Sequence, residues 1–162
     1  MRSRLAFGAL VVSAAACHRG NAAPDTPAPN GSVLHGTVSV TGTSFEQQIM
    51  LQAQSRHTRL LPANAADSAA LVRLGGVEIA ARGAMDGSAL RVSSFTALTV
   101  DGKPVVDGIV RVDGRAVSLE TSNGRVMLGN PPSALLQMNG ARVWISGPVD
   151  KGPNSYGVIV PR

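Results

Sequence analysis

One pattern of glycines and alternating apolar residues occurs twice in this chain, and a repeat of that kind narrows the fold before any motif is considered. Residues 71–83 align with residues 135–147, and Asp86 and Asp150 match at the same offset. Upstream, Gly36–Val40 aligns with Gly108–Val112, with a shorter connection in the second copy. Identities are few. The coincidence lies in the glycines and in the spacing of the apolar residues.

Each copy reads as three strands, a short helix and two strands. In the second copy, Gly108–Val112 alternates, Asp113-Gly114 marks a hairpin turn and Ala116–Thr121 alternates again. Asn123-Gly124 is a type I′ turn signal before Arg125–Leu128. Asn130 and Pro131 are suited to start a helix whose apolar side is Leu135, Leu136 and Met138, and Asn139-Gly140 stops it. Ala141–Ser146 and Tyr156–Val160 complete the set. In the first copy the strands are Gly36–Val40, Glu46–Ala53, His57–Leu61, Val77–Arg82 and Leu90–Val100, and Asp67 caps a helix running through Leu74. Phe95 breaks the alternation of the last strand, which predicts a bulge near Ser93-Ser94.

A helix between the third and fourth of five strands resembles the OB-fold, a small Greek-key barrel. The expected fold class is therefore mainly β: two tandem OB-like five-stranded barrels, residues 33–100 and 101–162, dividing near Val100–Pro104. Each is small enough to be marginal alone, so the two are expected to pack together.

The N-terminus is organised differently. Arg2 and Arg4 precede an apolar run from Leu5 to Ala16, too short to span a bilayer as a helix, and Cys17 follows Ala14-Ala15-Ala16. This ending resembles the lipobox of bacterial prolipoproteins. The resemblance implies a signal peptide over 1–16, a lipid-modified Cys17 as the first mature residue and a membrane anchor as the partner. With His18 rather than Asp after the cysteine, it also implies the periplasmic face of the outer membrane in a cell with two membranes. The same three alanines also suit ordinary signal cleavage. Either route exports the chain. Residues 17–32 hold Pro24, Pro27 and Pro29 among small polar residues and read as an extended tether that cannot bury a core.

Composition limits the function classes. The net charge of +5 includes Arg2 and Arg4, so the chain after Ala16 carries only +3. The high pI therefore overstates the case for a polyanion partner. No nucleophile elbow, Walker loop, dinucleotide fingerprint or H-E-x-x-H pair occurs, and nothing points to a cofactor. His18, His35 and His57 are far apart and lack ligand spacing, so no metal site is expected. Asp86 and Asp150 lie beside Gly87 and Gly152 and read as turn residues.

Two candidate contact sites remain. Arg56, His57 and Arg59 fall at the second hairpin, where an OB-like barrel would offer them to a polyanion; otherwise they form a solvated turn. Single-strand binding also needs aromatic platforms. Only Phe45, Phe95, Trp144 and Tyr156 follow Ala16, and together with export this argues against nucleic acid. The second site is the outward pair Ile109 and Trp144, whose first-copy counterparts are Thr37 and Ala80. Such an apolar patch reads as the seam between modules or as a binding surface. The sequence thus points to a non-enzymatic envelope lipoprotein acting as a binding or structural module. The alternative is an oligosaccharide- or nucleic-acid-binding protein using the basic hairpin.

Overall fold

The computed structural model describes residues 31–43 and 46–162, and over these the protein is mainly β. The first five strands are β1 (Ser32–Thr41), β2 (Gln48–Ala53), β3 (Arg56–Leu61), β4 (Glu78–Asp86) and β5 (Ala89–Val100), with α1 (Ala65–Arg73) between β3 and β4. The second five are β6 (Lys103–Asp113), β7 (Ala116–Thr121), β8 (Gly124–Met127), β9 (Arg142–Ser146) and β10 (Ser155–Val160). A 3-10 turn, Ser133–Gln137, stands where α1 stands in the first half. Among the described residues no helix is long and apolar enough to cross a membrane.

The first five strands close into a ring. β1 pairs with β2, β2 with β3, β3 with β5, β5 with β4 and β4 with β1; only the β3–β5 pairing is parallel. β1 serves two partners because it changes neighbour at Thr37, which stands opposite both Gln52 and Glu78. The bend requires a glycine beside it. A Cβ at Gly36 would stand 2.5 Å from the Gln52 carbonyl oxygen, and one at its counterpart Gly108 would stand 2.9 Å from that of Glu120. Gly36→Ala is expected to lower stability by about 1–3 kcal/mol, the usual range for overpacking, measured by urea unfolding. No loss would mean that β1 can shift away from β2 at little cost.

The second five strands follow the same order, β8–β7–β6–β9–β10, but among the described residues β8 and β10 are not paired. In place of that ladder, the Gly129 N–H donates to the Val149 carbonyl at 2.7 Å. The halves nonetheless repeat at the level of single hydrogen bonds. Gly76 N–H donates to the Val38 carbonyl at 2.8 Å and Val38 N–H to that of Val77 at 2.9 Å. Gly140, Val110 and Ala141 make the same two bonds at 2.9 and 2.8 Å.

Each half has its own core. One is built on Val38, Leu51, Leu60, Leu71, Ile79 and Leu90, the other on Val110, Leu119, Leu135, Val143 and Ile145. The first core also takes in Ile159 of β10, and Val105, Trp144 and Val160 pack against it, so the second half closes part of the first. Fully burying one such aliphatic side chain contributes roughly 1.5–3 kcal/mol.

Local expectations need several corrections. Asn64, not Asp67, caps α1: its Oδ1 accepts from the Asp67 N–H at 2.9 Å, and its Nδ2 donates to Asp67 Oδ2 at 2.8 Å. Asn130 caps nothing; it has a φ of 41° and donates to the Lys151 carbonyl at 3.2 Å. The expected second helix is only the 3-10 turn, started by Pro132 without a side-chain cap. Asn123-Gly124 is not a type I′ turn, because the positive φ falls on Gly124 alone, already paired with Thr121. Near Val100–Pro104, where the two modules are expected to divide, Asp101 and Gly102, with φ of 51° and 71°, form a two-residue hairpin that joins β5 to β6. His35 lies within β1 rather than before it, and Ser32, assigned to the tether, begins that strand. The bulge in β5 does fall at Ser93, where Arg82 faces Ser94 and Gly83 faces Val92.

Candidate functional site

The β6–β9 register places four side chains on one outward face. Asp107 stands opposite Trp144, and Ile109 opposite Arg142. Ile109 and Trp144 thus occupy one diagonal of a square, and a charged pair occupies the other. Arg142 clasps Asp107 with two hydrogen bonds, Nε to Oδ1 at 2.8 Å and Nη2 to Oδ2 at 2.7 Å. The Asp107 side chain is only 3% exposed, so the carboxylate of this ion pair is removed from water while the guanidinium keeps a partial exposure.

The pair also holds β5. Asp107 Oδ2 accepts from the Ala97 N–H at 2.8 Å, and Arg142 Nη2 donates to the Phe95 carbonyl at 2.6 Å. The guanidinium lies 4.8 Å from the centroid of the Phe95 ring, a cation–π distance. Two side chains of the second half therefore satisfy two main-chain groups of the first, in a bidentate geometry that lysine would not reproduce. Trp144 packs against the first core and lies over Gly157, where any Cβ would collide with the indole. Ile109 lies apart from that contact, lining a concavity of about 390 Å³ with Thr96, Glu120 and Arg142.

The first half carries the same square. His35 stands opposite Ala80, and Thr37 opposite Glu78. Here the face opens on a concavity of about 700 Å³, lined by His35, Thr37, Gln52, Gln54, Arg56 and Glu78 among others. Glu78 is half-buried, and its Oε2 accepts from Thr99 Oγ1 at 2.7 Å, which fixes the carboxylate at the concavity's edge. The amides, hydroxyls and single charges of this surface offer donors and acceptors in both senses.

The basic hairpin is arranged differently from its sequence reading. The turn is Gln54-Ser55, while Arg56, His57 and Arg59 lie on β3, all exposed. Strand alternation puts His57 and Arg59 on one face and Arg56 on the other, with Thr58 and Leu60. The three do not form one basic surface. Arg56 and His57 instead border a smaller concavity of about 340 Å³ with Leu34 and Met85. Asp86 pairs with Arg91 at 2.7 Å across the β4–β5 turn, and Asp150 lies in the turn between β9 and β10. Among the described residues no three His, Cys, Asp or Glu side chains converge as metal ligands do. Cys17, the signal expected over 1–16, His18, most of the tether expected over 17–32, and Phe45 lie outside the described residues.

Asp107, Arg142 and Glu78 were missed in the sequence. A usable signal existed: extending the register from Ile109 and Trp144 by one pair places Asp107 and Arg142 on the same face. In comparisons with family models, curated proteins and solved structures, nothing matches the chain.

Proposed function

We propose that this is an exported, lipid-anchored cell-envelope protein whose two OB-like barrels act as a non-enzymatic binding or structural module. The barrel reading is supported by the ring order β1–β2–β3–β5–β4, with α1 between β3 and β4, which is the strand order of an OB-fold. The second half repeats that order with its β8–β10 side unpaired among the described residues. The observation that carries the binding role is the concavity of about 700 Å³ over His35, Thr37 and Glu78, whose counterpart in the second half is engaged by β5. A fold hosts many functions, so the role rests on this surface rather than on the barrel.

Anchoring is supported by the lone Cys17 after an apolar run and by the position of β1, which starts at Ser32 directly after the proline-rich segment. A diacyl or triacyl anchor would hold firmly, at about 0.8 kcal/mol per buried methylene. Cys17→Ser is expected to move the protein from the membrane fraction to the soluble fraction. If the processed variant sediments with membranes as the parent does, the anchor lies elsewhere.

A further inference from the structure

The two squares are equivalent position by position, yet among the described residues only one is filled. Pairing with the neighbouring strands matches His35 with Asp107, Thr37 with Ile109, Gln52 with Glu120 and Glu78 with Arg142. In the second half, this place receives an extended strand: β5 presents the Phe95 carbonyl to Arg142 and the Ala97 N–H to Asp107, and Thr96 between them walls the space. In the first half no strand lies there among the described residues, and the concavity is about 700 Å³ against about 390 Å³.

We propose that the concavity over His35, Thr37 and Glu78 binds the main chain of an extended segment from a partner polypeptide. The substitutions between the squares state what that segment must offer. Glu78 replaces the donor Arg142 with an acceptor, and His35 replaces the acceptor Asp107 with an imidazole that can donate. Each position changes sense, so the site calls for an N–H where β5 presents a carbonyl and a carbonyl where it presents an N–H. An extended chain running opposite to β5 presents that order on its edge. Glu78 is held for this role by Thr99 Oγ1, which engages only Oε2. Gln52, Gln54 and Arg56 extend the polar surface along the segment. Because the contacts fall on peptide groups, recognition is directed at an extended conformation, with neighbouring side chains adding selectivity.

This inference rests on the binding-module reading, and its test separates the two. A phage-displayed library of random heptapeptides is panned on the full chain, and one enriched peptide is synthesised and titrated. Thr37→Trp, which fills the concavity, is expected to weaken binding at least tenfold. Ile109→Trp, its counterpart in the filled square, is expected to leave binding unchanged. Glu78→Gln is expected to weaken it several-fold, and methylating the main-chain nitrogen that faces Glu78 to do the same. The proposal is overturned if no peptide is enriched, or if enriched peptides are indifferent to Thr37→Trp. It is also overturned if main-chain methylation is tolerated throughout, or if a neutral oligosaccharide, maltoheptaose, binds there in place of peptides. A membrane-retained parent with no peptide bound removes the concavity's role and leaves the envelope reading standing. Peptide binding by a chain never found on membranes does the reverse.

Discussion

Asp107→Ala is expected to lower the stability of the whole folded region by about 3–5 kcal/mol, the range for breaking one partner of a buried ion pair. The loss has two sources. Arg142, 26% exposed at its side chain, keeps its charge but loses the carboxylate that held it with two bonds. The Ala97 N–H loses its acceptor inside the joint, and an orphaned buried donor is itself costly. Urea unfolding followed by circular dichroism and by the emission of Trp144, the only tryptophan, reads the effect on both halves. A single shifted transition is the expected form, since residues of the second half complete the core of the first and hold β5. Replacing both charges, as in Asp107→Leu with Arg142→Leu, should recover only the part of the loss due to the stranded charge, because the Ala97 N–H and the Phe95 carbonyl remain without their partners. A loss under about 1 kcal/mol for Asp107→Ala, the value of an exposed pair, would show that water reaches the joint.

The second large effect is expected at Trp144. This side chain is half-buried, packs against the core of the first half and covers Gly157. Trp144→Ala is expected to cost about 2–4 kcal/mol, at or below the range for a fully buried aromatic because part of the ring stays wet. In the parent, its emission should be blue-shifted from that of free tryptophan and only weakly quenched by iodide. Emission typical of water together with unchanged stability would remove Trp144 from the joint. It would then become a surface residue available to a partner. Gly157→Val should mimic the loss by pushing the indole off its strand, and the two substitutions should not add.

Most of the strands and their inward faces were legible because alternation is local: Val38, Leu51, Leu60 and Ile79 face inward for reasons contained in their own segments. Element ends were less so. Asn64 and Asp67 are both good caps, and the choice between them depends on where Pro62 ends the preceding strand. Asn123-Gly124 has a type I′ composition, yet the register set by the buried Val117 and Leu119 moves the turn back by one residue. Asp101-Gly102 carried an equally good hairpin signal but lay at the border between repeats, where the modules were expected to divide. The site was the least legible part. Asp107 and Arg142 are separated by 35 residues, and what they bind is the main chain of Phe95 and Ala97, which has no sequence signature. Likewise, Arg56 and His57 are adjacent in sequence, and only the strand's pleat separates their faces.

The two-residue turn at Asp101-Gly102 also bears on how such a chain can be inherited. Many tandem proteins behave as beads: a half can be copied, reordered or fused elsewhere because a flexible connector insulates it. Here the last strand of one half runs directly into the first strand of the next, and the Thr99–Pro104 and Val100–Lys103 pairs knit them into one sheet. A recombination break at this turn would part Asp107 from the Ala97 N–H and Arg142 from the Phe95 carbonyl, and would strip Ile159 from the other core. After any ancestral duplication, the halves could diverge in their surfaces, but they would have to travel through evolution as a pair.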